Sequence, residues 1–521
     1  MTIRRMFRLA RALSVRFGSV RARFGMRFHA MKTDQFLRRH GIVGNPFSEE
    51  DARTDTVFKS GCLWKIHHPA WDKFYGSPVD PSTAVVFGEK GSGKTALRLQ
   101  AEAELEAHNE ANPNQRVFVI SYDDFNPFLD HFKAASRARD DVSALKSWRL
   151  QDHMDAILAL GTTRLVDELI ADKADLTVLS VDQRRDLLLL AALYDQSTRE
   201  PIEQRWSKLR RRSGFRPLWS RRDIQIGVGT TIVVAALTAA FPRLRVWSVW
   251  PWLLLAVFAG WIYWGWRMAR AVWFAADIRK GLRVLSRDPW ALRWELLWFQ
   301  PSELGGQPMP VSSATGGEEK RYELLRKFQG LINKLGYSGI VVLIDRVDEP
   351  QMIEGDPRKM RSLIWPLLDH KFLRHPGIGV KLLLPIELAY YLEKEEKEFY
   401  DKARPDKLNL IKPLRWTGPS LYDLATDRLR ACSVDPSSDG EGPRLRQFID
   451  ESVSDDTLKD ALANLRTPRQ LFKFLHKLIE EHCHRHTEDA PRFTVDQDTF
   501  RNVYSAKLRE IDAFDRGFGH G

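Results

Sequence analysis

The stretch Val85-Val-Phe-Gly88-Glu89-Lys90-Gly91-Ser92-Gly93-Lys94-Thr95 decides how the rest of the chain is read. Its opening residues are an apolar run of strand type, and Ala96-Leu-Arg-Leu-Gln100 follows as the first turns of a helix. A Gly-x-x-x-x-Gly-Lys-Thr run between a strand and a helix is the pattern of a phosphate-binding loop. Small residues let backbone N–H groups curl around a phosphate, and the helix N-terminus adds the positive end of its dipole. The reading assigns Gly88, Glu89, Lys90, Gly91, Ser92, Gly93, Lys94 and Thr95 to ATP. Lys94 reaches the β- and γ-phosphates as a catalytic cation, and the Thr95 hydroxyl holds Mg²⁺. A plain Gly-rich turn is the alternative. The preceding strand, the third glycine and an acid-ending strand downstream argue against it.

That downstream strand is Gly339-Ile-Val-Val-Leu-Ile-Asp345-Arg-Val-Asp348-Glu349-Pro350. It is uniformly apolar, hence central in a sheet, and it ends in acids. Asp345 is placed to hold Mg²⁺ through water. Asp348 and Glu349 stand where a carboxylate orients and deprotonates the attacking water. Val117-Phe-Val-Ile120 reads as another buried strand, ending in Ser121-Tyr-Asp123-Asp124. Those two acids either touch the reacting water or a partner, or simply cap the next segment. Ile378–Pro385 and Asn409–Trp416 read as further strands, and Asp356–Leu373 as a helix. Short apolar runs alternating with helices predict an α/β fold with a parallel sheet. Arg346, Arg358, Arg361 and Arg374 are the arginines near the acid strand that could act as a finger, and none is singled out.

Composition adds a second theme. The formal charge is +12, of which residues 1–32, with eight Arg, one Lys and no acid, supply nine. The body of the chain is therefore only mildly basic, which argues against nucleic-acid binding by the whole molecule. The tail reads as a disordered segment, as sequence ahead of a later start at Met26 or Met31, as a basic amphipathic helix suited to an anionic membrane surface, or as a segment similar to an organellar transit peptide. Three widely spaced cysteines, Cys62, Cys432 and Cys483, fit a reducing compartment with no disulfide framework. His67 and His68 read as surface or packing residues.

Residues 205–222 are strongly basic, and the runs Ile224–Phe241 and Val246–Trp266 carry no charge. As helices, these 18- and 21-residue runs would be roughly 27 and 31 Å long, near the thickness of a bilayer core of about 30 Å. Trp residues cluster near their ends, as in interfacial belts. The expectation is a transmembrane helical hairpin in the lipid bilayer. Basic flanks would put both outer ends in the cytoplasm, making this a two-pass protein of the inner (plasma) membrane.

The C-terminal part reads as helical. In Leu465-Arg-Thr-Pro-Arg469-Gln-Leu471-Phe472, Pro468 suits a first helical turn, and Arg469 projects from the helix start. His482, Cys483, His484 and His486 cluster at the end of that helix. His482 and His486 lie one turn apart, but the reading assigns them no metal. The resulting order is a basic tail (1–32), a first half of the ATPase domain (33–204), the hairpin with its flanks (205–285), a second half (286–430) and the C-terminal helical part (431–521).

The Gly91-Ser-Gly-Lys-Thr95 core, the Leu-Ile-Asp345-Arg-Val-Asp348 arrangement and Thr-Pro-Arg469-x-Leu, together with uncharged runs placed inside the ATPase portion, resemble the KAP-type P-loop NTPases of the STAND/AAA-like group. The resemblance covers roughly residues 80–480, and Arg346 stands where that group usually carries a second Asp. It implies that the C-terminal helical part is a lid whose Arg469 senses the γ-phosphate, and slow, switch-like ATP hydrolysis coupled to self-assembly or a protein partner at the inner face of a membrane, in some members linked to phage exclusion. A nucleic-acid-linked loader or motor tethered to the membrane is the alternative. A transporter is disfavoured because the spans hold no ionisable residue, and GTP because no guanine-reading Asn/Thr-Lys-x-Asp occurs.

Overall fold

Five apolar runs pair as one parallel sheet. They are β1 (Ala84–Gly88), β2 (Arg116–Tyr122), β3 (Tyr337–Ile344), β4 (Ile378–Pro385) and β5 (Asn409–Ile411), in the spatial order β2-β3-β4-β1-β5. Every residue of β1 and β4 is buried, as expected of strands that lack polar alternation and are covered on both faces. Val85 faces Leu382 across β1–β4, and Val342 faces Val380 across β3–β4, so β4 separates the loop strand from the acid strand. The computed structural model describes residues 30–172, 175–215, 222–241, 249–310, 317–434 and 442–518. Most of the basic tail and the turn around Pro242–Arg245 lie outside these. The architecture is α/β with one parallel sheet and many helices, which is compatible with a P-loop fold.

The chain divides into two compact units. The larger holds residues 69–90 and 94–414 and contains the sheet. Helix α1 (Lys94–Ala111) follows β1, and α2 (Leu150–Ile170), α3 (Val181–Tyr194) and α4 (Gly317–Lys334) build the main core with it. Gly161 of α2 has no room for a side chain: a Cβ there would lie 2.9 Å from Ile120 and Phe328. A buried ion pair ties α4 to α2, with Arg321 Nη2 donating to Asp155 at 3.0 Å, and the same nitrogen donates to the Gly281 carbonyl at 3.0 Å. The expected single helix over 356–373 is broken into Pro357–Ile364, a 3₁₀ turn and His370–Leu373. Pro366 explains the break, since it lacks the N–H that a continuous helix needs there. The last strand stops at Ile411 rather than running to Trp416.

The uncharged runs do form two helices, α5 (Arg222–Ala240) and α6 (Trp250–Gly281), but the transmembrane expectation is overturned. Among the described residues no helix is long and apolar enough to cross a membrane. Absence of charge is not the same as hydropathy. Helix α5 spends two of its 19 residues on Arg222 and Asp223, and Gln225, Gly227, Gly229 and three threonines dilute the remainder. In α6 the indole and phenol groups of Trp and Tyr lower the hydropathy. Arg267 is then buried, donating to the Leu297 carbonyl at 2.8 Å, and Ala271, Ala275 and Ile278 are buried with it. The two helices touch where α6 meets the threonines of α5: Trp261 Nε1 donates to Thr231 at 3.1 Å, and a Cβ on Gly260 would collide with Thr230. Their outer faces expose Ile232, Trp252, Leu254 and Phe258. Of the basic block that was to fix a membrane orientation, Arg205, Lys208 and Arg212 are paired with acids within this unit. Arg205 pairs with Asp167 at 2.7 Å and Asp195 at 2.9 Å, and Lys208 pairs with Glu200 at 2.7 Å.

The smaller unit holds the described residues up to His68, Gly91–Gly93, and the chain from Arg415 onward. Helices α7 (Gly418–Ala431), α8 (Asp455–Leu465), α9 (Pro468–Arg485) and α10 (Gln497–Phe518) pack Leu421, Leu462, Leu475 and Phe474 against Phe36, Leu37 and Phe47. A buried Arg428–Asp55 pair at 2.6 Å joins the early segment to α7. His68 is a packing residue, its Nε2 bonded to the Arg415 carbonyl at 2.9 Å. Pro468 does open α9, with Thr467 as its cap. The C-terminal helix α10 runs for 22 residues.

Candidate functional site

The loop leaves β1 at Gly88 and enters α1 at Lys94. Gly91 and Gly93 take φ of +87° and +94°, a region that costs any residue with a Cβ. These turns bring the chain into a helix whose first N–H groups have no intrahelical acceptor, which favours an anion there. Lys94, in the first turn, folds back: its Nζ donates to the carbonyls of Gly88 at 2.7 Å and Glu89 at 3.0 Å.

Thr95 and Asp345, the expected Mg²⁺ residues, meet. The Thr95 hydroxyl donates to Asp345 Oδ2 at 2.9 Å. Asp345 follows β3, and only 1% of its surface is exposed. Burial pushes its carboxyl up from the ordinary range, while the Thr95 hydroxyl, the Arg98 guanidinium and the Lys94 ammonium pull it back. A hydroxyl and a buried carboxylate brought together beside a helix N-terminus are the hard oxygen donors that suit Mg²⁺, so this donor set fits the ion.

Sequence reasoning missed Arg98. It lies one turn beyond Lys94 on α1 and is almost fully buried. Its guanidinium reaches Asp123 at 3.1 Å, Glu102 at 3.4 Å and Asp345 at 3.5 Å, and Glu102 in turn accepts from Ser121 at 2.8 Å. The cation thus gathers three carboxylates from α1, the end of β2 and the end of β3. The i+4 spacing from Lys94 was the available signal, because it sets Arg98 on the face of α1 below the loop. The two acids after β2 divide: Asp123 joins this cluster, whereas Asp124 Oδ1 accepts from the Asn126 N–H at 3.1 Å as a local cap.

Asp348 and Glu349 follow Asp345 in a turn opened by Arg346, whose φ is +62°. Glu349 is exposed and held by Arg346, Nε to Oε2 at 2.8 Å, while Asp348 is half-buried. Among the other arginines considered as fingers, Arg361 pairs with Glu395 and Arg374 donates to the Lys407 carbonyl at 3.3 Å. Arg469 belongs to the smaller unit. There its backbone N–H donates to the Gly91 carbonyl at 3.3 Å, and its guanidinium contacts Glu50 at 3.6 Å. Within the same unit, Trp416 Nε1 donates to the Ser92 carbonyl at 2.8 Å.

Comparison with protein-family models, with curated proteins and with solved structures returned no match.

Proposed function

We propose that the chain binds ATP with Mg²⁺ through the Gly88–Thr95 loop and hydrolyses it slowly, as a nucleotide-state switch that acts on its own assembly or on a protein partner. The observation that carries this reading is the 2.9 Å contact between Thr95 and Asp345, two residues picked from separate motifs as partners for one ion. In this reading Lys94 exchanges its loop carbonyls for β- and γ-phosphate oxygens. Mg²⁺ supplies charge neutralisation between those phosphates. Asp348 takes the proton of the attacking water, since Glu349 is already engaged by Arg346. The water oxygen bonds to the γ-phosphorus as the bond from that phosphorus to the bridging oxygen breaks, leaving ADP and phosphate.

The test is equilibrium binding of a fluorescent ATP analogue, read beside phosphate release. Lys94→Ala should weaken binding by at least tenfold with the circular dichroism spectrum unchanged. Asp348→Ala should keep binding and lose turnover. Equal binding by wild type and Lys94→Ala would overturn the reading.

A further inference from the structure

The helical unit holds a cluster that the nucleotide reading leaves unused. His482 lies in the last turn of α9, His486 caps its end, and Asp496 immediately precedes α10. One potential ligand atom from each of the three residues lies within 4.8 Å of the other two. His482 is fully buried, and among the described residues its Nδ1 has no hydrogen-bond partner; neither has the buried Nε2 of His486. Buried ring nitrogens without partners are uncommon, because each forfeits a hydrogen bond that water would supply.

The surroundings orient those atoms. His482 Nε2 lies 2.8 Å from the Arg492 carbonyl, so that nitrogen must carry the proton and Nδ1 must present its lone pair. A backbone carbonyl on the far nitrogen is the usual support of a metal-bound imidazole. The backbone of His486 is pinned, since its carbonyl accepts from the Met31 N–H at 2.9 Å. Asp496 Oδ1 and Oδ2 accept from the N–H and hydroxyl of Thr499 at 2.8 and 3.0 Å, which caps α10 and still leaves lone pairs free. Oδ2 stands 4.0 Å from His486 Nε2.

We propose that His482 Nδ1, His486 Nε2 and an Asp496 oxygen bind one transition-metal ion of the zinc class, clamping the end of α9 to the start of α10. Two imidazoles and a carboxylate are a borderline donor set that selects Zn²⁺ over Mg²⁺ or Ca²⁺. Atoms no more than 4.8 Å apart share a point within about 2.8 Å of each. Zinc–nitrogen bonds are about 2.0–2.1 Å, so the ligands close by roughly 0.7 Å, within side-chain rotation. Three protein ligands leave a fourth position for water. His484 is exposed and is not among the three residues whose ligand atoms converge.

The full chain would be titrated with zinc chloride by calorimetry, and with cobalt(II) to read its visible d–d bands. One equivalent of zinc should bind. His486→Ala and Asp496→Asn should each weaken binding by at least tenfold and abolish the cobalt bands, while His484→Ala should leave both unchanged. His482 is a core residue whose replacement endangers folding, so the substitutions are confined to His486 and Asp496. Absence of binding at micromolar zinc, or binding equal to wild type in both His486→Ala and Asp496→Asn, would overturn the proposal. Neither readout involves nucleotide, so failure here is separable from failure of the ATPase reading.

Discussion

The Thr95 hydroxyl donates to Asp345 at 2.9 Å across 250 positions of sequence. Removing the hydroxyl with Thr95→Val leaves the buried carboxylate short of a donor, at a cost of about 1–2 kcal/mol in folding stability. If Thr95 also holds Mg²⁺, the variant's affinity for ATP should no longer rise when Mg²⁺ is added. Chemical denaturation and nucleotide titration with and without Mg²⁺ measure the two effects.

Arg98 is the only cation within the acid cluster of Glu102, Asp123 and Asp345 for which contacts on all three are seen among the described residues. Arg98→Met should destabilise the protein by roughly 3 kcal/mol, because three carboxylates then face each other with a buried member. Added Mg²⁺ should recover part of that loss. A thermal melt of the variant indifferent to Mg²⁺ would contradict this arrangement.

Glu295 is buried beside Glu203 and Arg287 near a cavity of about 430 Å³, and burial pushes its carboxyl up to about 8 from 4.5. Between those values the folded protein holds a proton that the unfolded chain has released. Its contribution to stability is therefore present below the unfolded value and is lost as pH rises towards 8, by up to roughly 5 kcal/mol. Glu295→Gln should match wild type near pH 4.5 and exceed it near pH 8 in urea denaturation.

Arg321 and Asp155 are each 1% exposed and joined at 3.0 Å. Arg321→Ala strands a buried charge and should cost about 3–5 kcal/mol. The double variant Arg321→Ala, Asp155→Asn should recover part of this, because the remaining group is neutral. Denaturation midpoints of the two variants decide it.

Gly91 and Gly93 share left-handed backbone but not surroundings. A Cβ on Gly91 would lie 2.6 Å from the Cβ of Arg469, whereas on Gly93 the nearest atom is 3.9 Å away. Gly91→Ala should therefore lower the melting temperature more than Gly93→Ala, which bears only the backbone strain of about 1–2 kcal/mol.

Much of the sheet was legible because its strands are short uninterrupted apolar runs, and the loop was legible because glycine spacing and Lys94-Thr95 are contiguous. Arg98 was not legible as a site residue, since an arginine on a helix is ordinarily a solvated charge and its three carboxylates come from distant segments. The helical pair illustrates a different failure. Lack of charge over Ile224–Phe241 and Val246–Trp266 predicted helices correctly, but membrane crossing depends on the length and hydropathy of the helix that forms. Neither α5 nor α6 has both.

The sequence by itself determined the local units: where β1, β3 and β4 run, that the chain turns tightly at Gly91 and Gly93, and that α9 begins at Pro468. These follow from side-chain size, backbone freedom and periodicity, which act over a few residues. Only the tertiary structure decided that Thr95 meets Asp345, that Arg98 gathers the acids, and that Asp496 joins His482 and His486. Such pairings depend on strand order and on which buried faces close against each other, and no short-range property of the chain encodes them.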